Sequence, residues 1–163
     1  MIQFDEGNLR FVYRVVGVAI DNNRVLAEQV EGQDFWFLPG GRGELREPAA
    51  ETLKREMREE LNAEIRVDRL LWVVENFFTG DNLIMGNNLD YHELGLYFLM
   101  EFTGDSPIPG LEEFTTEDDG FNITLKWHNL DEIGNTLIYP SFLQKGLQQI
   151  PEHTEHIFHR DDI

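Results

Sequence analysis

The stretch Leu38–Ala63, LPGGRGELREPAAETLKREMREELNA, decides how this chain is read. Two glycines, Gly40 and Gly41, lead into a segment that carries Glu56, Glu59 and Glu60 within five residues. Pro48 is a good first helical residue. From there Ala50, Leu53, Met57 and Leu61 recur at helical spacing and predict a core-facing stripe. Asn62 follows where a left-handed C-terminal residue is expected, and Asn tolerates that conformation better than most residues.

Each helical residue advances about 100°, so Glu56, Glu59 and Glu60 fall within roughly one third of the circumference. Glu60 lies beside the Leu53/Met57 stripe and is expected to be partly covered. Clustered, partly buried carboxylates need a counter-charge. Arg55 pairs at helical spacing with Glu51 or Glu59, yet one cation does not neutralise the group. Hard divalent cations prefer oxygen ligands and complete their shells with water and substrate phosphates. A glycine turn just before the helix lets backbone groups approach closely. The physical reading is a Mg²⁺ or Mn²⁺ site built for a polyphosphate.

The composition supports this. The chain has 163 residues, no Cys, and a formal net charge of −18. Such a charge disfavours binding of nucleic acid by attraction, and a phosphate site here needs a cation as intermediary. Zero Cys excludes disulfides, thiolate metal sites and cysteine nucleophiles. No apolar run is long enough to span a membrane, and MIQFDEGNLR lacks the regions of a signal peptide, so a cytoplasmic protein of one domain over 1–163 is expected.

Around the central stretch, Arg10–Ile20 predicts a strand, Asp21-Asn22-Asn23 a turn, and Val25–Val30 its hairpin partner. Asp34–Leu38 predicts a short buried strand. IRVDRLLWVVENFFTG and YHELGLYFLMEF predict two more strands around a polar loop from Gly80 to Asp90. GDSPIPGLEEFTTEDDG predicts a long surface loop, NITLKWHNL a strand, and Ser141–Ile150 a last helix with Ser141 and Gln144 spaced as a capping box. His153, His156 and His159 lie among Glu152, Glu155 and two terminal aspartates, which predicts a tail rather than a transition-metal site. Strands around two helices indicate a mixed α/β layer fold.

Gly41, five residues, Glu47, seven residues, then Arg55-Glu56-Met57-Arg58-Glu59-Glu60 resembles the signature of the Nudix (MutT-like) hydrolases. The likeness covers Gly41–Ala63. It departs at Asn62, where the signature has Gly, and at Ala63, where a larger aliphatic is usual. Both positions concern helix termination and packing.

The resemblance implies an α/β/α sandwich around a mixed sheet and hydrolysis of a nucleoside diphosphate linked to another group X, a pyrophosphatase reaction. Nucleoside triphosphates and nucleoside diphosphate sugars are the expected substrates. It implies Glu56, Glu59 and Glu60 as metal ligands with the Gly40 carbonyl, Glu56 as proton acceptor, and Arg55 and Glu47 as the ion pair that orients loop and helix. A further carboxylate beyond the box is expected from Glu93, Glu112, Glu113, Glu117, Asp118 or Asp119. Arg14 and His92 are candidate substrate contacts, and Phe77, Phe78 and Tyr91 candidate stacking residues. The subfamily markers, a proline or a tyrosine shortly after the box, are replaced by Thr79-Gly80-Asp81. Homodimers are common among similar proteins. A nucleotide-binding sensor and an RNA-end pyrophosphohydrolase are the alternatives; the first conflicts with three intact glutamates and the second with the negative charge.

Overall fold

The computed structural model describes residues 1–80 and 88–161, so most of the loop expected between Gly80 and Asp90 lies outside it. Among the described residues there are nine strands: β1 (Gln3–Glu6), β2 (Leu9–Asp21), β3 (Arg24–Val30), β4 (Gly40–Arg42), β5 (Ile65–Thr79), β6 (Asp90–Phe102), β7 (Glu113–Asp118), β8 (Phe121–Asn129) and β9 (Glu155–Asp161). Two α-helices accompany them, α1 (Ala49–Leu61) and α2 (Leu143–Gly146).

The strand order is β7-β8-β3-β2-β6-β5-β9, with β1 and β4 also pairing with β2. β2 runs parallel to β6, and β9 parallel to β5, whereas the other ladders are antiparallel, so the sheet is mixed. Asn22 and Asn23 both take positive φ, 51° and 59°, the turn geometry that matches strand twist in a two-residue hairpin. β2 and β3 pair only next to that turn, at Ile20–Val25 and Asp21–Arg24. Beyond it they part, and β4 takes the edge of β2 at Arg14, Val15 and Val16. The parting opens the cleft described below.

One core lies under α1, where Leu53 and Met57 meet Val15, Leu26, Leu125 and Trp127. The other lies on the opposite face, where Val18, Trp72 and Tyr97 meet Ile138, Leu143 and Leu147. This is the expected sandwich, though its second helical layer is thin. Of the expected stripe, Leu53 and Met57 are fully buried, Ala50 and Leu61 only partly, and Thr52 is buried as well. Asn62 closes α1 at φ 50°, ψ 42°, its N–H donating to the Arg58 carbonyl, while Ala63 N–H donates to Met57. The departure from glycine is thereby accommodated.

Four local expectations are corrected. Asp34–Leu38 is no strand but two isolated bridges, Glu28–Phe37 and Trp36–Ile138. The long acidic loop contains β7, which pairs with β8 through a turn at Asp119 and Gly120, both at positive φ. The last helix shrinks to Leu143–Gly146, because Ser141 donates to Asp161 and Gln144 to the Thr136 carbonyl instead of capping. The histidine tail is β9, held by pairing with β5.

Candidate active site

β4 runs directly against β2, which Gly40 makes possible, and against α1, which Gly41 makes possible. A Cβ on Gly40 would collide with the Val15 carbonyl, and one on Gly41 with the Glu56 carboxylate. The chain then turns into α1, and Glu47 waits at the entrance. Arg55 grips Glu47 through two hydrogen bonds of 2.9 and 3.0 Å, while the Thr52 hydroxyl donates to the same carboxylate at 2.6 Å. These contacts hold Glu47 below the usual carboxylate range, the Arg55 hydrogen bond being the largest cause. Arg55 also donates to the Arg42 carbonyl at 3.2 Å, to Glu56 at 2.9 Å and to Glu59 at 3.3 Å. One guanidinium thus ties loop, strand and helix together with bidentate specificity.

The carboxylates behind it are less well served. The Glu56 side chain is 14% exposed and that of Glu59 60%. Glu60 is half-buried and faces Glu28 of β3, which is 5% exposed. Burial, then the charge of Glu28, pushes the Glu60 carboxyl far above its usual range. Burial pushes Glu28 up as well, with Arg14 opposing. Asp118, at the end of β7, is raised by burial and by Asp119 and Glu59. Three elements therefore aim negative charge at one place, and Arg14 is the cation whose field opposes it at Glu28 and Glu60.

These groups border a cleft of about 1110 Å³. Its lining brings together Arg14, Gly40, Gly41, Arg55, Glu56, Glu59, Glu60, Glu93, Asp118 and Asp119. Phe78 and Tyr91 line it as a parallel stack with ring centroids 4.8 Å apart. Phe35 and Tyr139 meet edge to face at 5.4 Å and line it too. Several candidates fall elsewhere. His92 points to the other sheet face, stacked on Phe77 at 4.5 Å and edge-on to Phe11 at 5.4 Å, because strand neighbours alternate and Glu93 takes the cleft side. Glu112, Glu113 and Glu117 are exposed and outside the lining. His156 meets Glu75, and His159 meets Asp161 and Ser141, so the three histidines do not converge.

The NUDIX domain family model matches residues 12–149, most of the chain. The chain belongs to the Nudix family. Comparison with curated proteins gives no match. Among solved structures, a Nudix hydrolase from Nitrosomonas europaea is similar with a TM-score of 0.60 and 15% identity, over 92% of this chain and 79% of its own. An ADP-ribose pyrophosphatase from Streptococcus suis 89-1591 aligns with a TM-score of 0.57 and 14% identity, over 90% and 98%. A UDP-X diphosphatase aligns with a TM-score of 0.59 and 17% identity, over 90% of this chain and 66% of its own. At such identities the likeness is one of fold.

The carboxylates gathered at this Nudix site, without sulfur or imidazole among them, would suit a hard divalent ion. The excess of half-buried carboxylate over cation is what such an ion corrects. Among the described residues, no three acidic or histidine side chains already stand close enough together to hold one. Glu56 and Glu59 are held by Arg55 instead.

Sequence reasoning missed Glu28 and Asn76. A lone charge within the apolar run VLAEQV was the available signal for Glu28. Nothing local marks Asn76; its 4% exposure and its place on the cleft floor come from the pairing of β5 with β6.

Proposed function

We propose that this Nudix protein is a divalent-metal-dependent pyrophosphohydrolase. Its substrate is a nucleoside diphosphate joined to another group, and its products are a nucleoside monophosphate and the phosphorylated remainder. The observation that carries this reading is the cluster of under-neutralised carboxylates, Glu28, Glu56 and Glu60, set against a glycine strand at the edge of a nucleotide-sized cleft. The names of two structural neighbours, a UDP-X diphosphatase and an ADP-ribose pyrophosphatase, agree with that substrate class.

In this reading Glu56, Glu59, Glu60 and the Gly40 carbonyl hold Mg²⁺ or Mn²⁺. The bound ion supplies Lewis acidity, neutralising phosphate charge and acidifying water. Glu56 accepts the proton of the attacking water, and Arg55, fixed by Glu47, orients it. Arg14 meets phosphate, the Phe78–Tyr91 stack offers a ring face to a base, and Asp118, Asp119 or Glu93 supplies the further carboxylate.

The test is product release, with Mg²⁺ and with EDTA, over a panel of nucleoside triphosphates, diphosphate sugars, ADP-ribose and dinucleoside polyphosphates. Metal-dependent cleavage of at least one class is expected. Mg²⁺ binding without cleavage of any would favour a nucleotide-binding sensor instead.

A further inference from the structure

The back of the cleft floor carries a second surface. Strand neighbours alternate, so Phe77 and His92, beside Asn76 and Glu93, point to the opposite face of β5 and β6. There Phe4, Phe11, His92, Phe77 and Phe158 form an unbroken row across β1, β2, β6, β5 and β9. Phe4 stacks on Phe11 with ring centroids 5.1 Å apart, and Phe11 meets His92 edge-on at 5.4 Å. His92 stacks on Phe77 at 4.5 Å, and Phe77 meets Phe158 at 5.6 Å. The two outer rings lie mostly in solvent, Phe4 at 62% exposure and Phe158 at 64%. Behind the row, Leu94, Leu96 and Val73 share the face, half-buried, and belong to neither core. Five strands about 4.8 Å apart and three rows of side chains about 7 Å apart give a field of roughly 500 Å². An exposed apolar patch of that size marks a surface that another molecule covers.

The charge of this field decides what covers it. Its charged residues are Glu75, which meets His156 at 2.7 Å, and Arg160, whose guanidinium lies 5.3 Å over the Phe77 ring. The field therefore carries no net charge, in a chain of −18. The acids of the same face, Glu6 and Asp90, stand at its border. Nucleic acid and anionic lipid would need a basic field. The rest of the chain repels a second copy, whereas here two neutral aromatic faces can meet without that cost.

We propose that this face is the two-fold interface of a homodimer, in which the aromatic row of each copy covers that of the other. A two-fold contact buries the same patch on both copies, so two fields of roughly 500 Å² give about 1,000 Å² in total, the lower limit for a specific interface. Two twisted sheets pack face to face about 10 Å apart with their strands some 30° from alignment, and a field of five strands offers the flat area this needs. The clefts lie on the outer faces of the pair and stay open. The proposal stands apart from the hydrolase reading and holds whatever the cleft binds.

Sedimentation velocity over about 1 to 200 µM protein tests this. Wild type should pass from monomer to dimer within that range. Phe4→Glu and Phe158→Glu replace side chains that lie mostly in solvent, so both should melt like wild type and weaken the dimer at least about 30-fold. Leu137→Glu, at a 42% exposed apolar residue beside Ile138 of the other core, should leave dimerisation unchanged. Raising salt to about 0.5 M should tighten the wild-type dimer, because it screens the repulsion between two acidic chains and the neutral face has no charge attraction to lose. A monomer at every concentration overturns the interface and leaves the face to residues 81–87 or to another protein. A dimer that both phenylalanine variants leave intact, that Leu137→Glu weakens as much, or that salt dissociates overturns it as well.

Discussion

The two walls of the cleft are opposites in charge and alike in predicament. On one side α1, β3 and β7 crowd Glu60, Glu28 and Asp118 until burial and mutual repulsion push all three carboxyls up. On the other, β2 and β4 set Arg14 against Arg42, and among the described residues neither side chain forms a salt bridge, although the field of the buried Glu93 carboxylate acts on both. A chain selected for stability alone would let these groups neutralise one another across the cleft. Instead, Arg14 turns to a backbone carbonyl and Arg55 is spent on the helix that carries the carboxylates. What relieves both walls together is a ligand that is cationic on one side and anionic on the other, a metal-bound polyphosphate. Charges fixed before the ligand arrives need no reorganisation when it does.

The largest effect should come from the acidic wall. Glu59→Gln keeps shape but removes metal charge, and turnover should drop about 10³-fold, roughly 4 kcal/mol of transition-state stabilisation. Because the side chain is 60% exposed, the melting temperature should stay within a degree or two of wild type. Steady-state kinetics beside a thermal melt checks both; near-normal turnover would remove Glu59 from the site. Gly41→Ala comes next. Its Cβ would occupy the position of the Glu56 carboxylate, so the variant should lose about 10²-fold in turnover and 1–3 kcal/mol in stability. Unchanged values for both would mean that the close approach of β4 to α1 does not matter.

The two walls were unequally legible in the sequence. The acidic helix could be read because its signal is local: a 3.6-residue period, a proline at its start, and an Asn whose left-handed conformation ends it. Glu28 could not, since its meeting with Glu60 depends on where β3 goes after leaving β2. The Arg14–Arg42 opposition is likewise a matter of register between segments 28 residues apart. β7 was hidden by Pro, Gly and acidic residues that disfavour strands, and what makes it a strand is its neighbour β8 across the Asp119-Gly120 turn. β9 was hidden because a parallel partner far back in the chain supplies its hydrogen bonds. Conversely Ser141–Ile150 had helical spacing, but tertiary hydrogen bonds to Asp161 and Thr136 took its capping groups.

A pH titration sharpens the comparison further. Raised carboxyl pKa values mean that the folded state binds more protons than the unfolded chain, so stability is full below the ordinary glutamate value of 4.5 and is lost as pH rises through the folded values. His128 works the other way: burial lowers it from 6.5 to about 4, and its contribution rises with pH only between those values. From pH 6.5 to 9 the raised carboxyls are therefore no longer offset by His128. In EDTA the protein should lose stability over that interval, by up to about 1.4 kcal/mol per pH unit for each group titrating. Saturating Mg²⁺ should flatten the fall, because the ion binds the deprotonated form. Denaturant melts at pH 6.5 and 9, with and without metal, decide it. Parallel curves in the two conditions would separate the raised pKa values from the metal.

The smallest effect isolates Glu28, which stands between the two walls and answers to both: burial and Glu56 disfavour its charge, Arg14 favours it. Glu28→Gln removes a buried charge and keeps its volume. In EDTA at pH 8 it should raise stability by about 1 kcal/mol, since the penalty it lifts exceeds the attraction it gives up. With saturating Mg²⁺ the same variant should gain less from the metal than wild type does. A loss of stability in EDTA would mean that the field of Arg14 wins, and that Glu28 belongs to the basic wall rather than the acidic one.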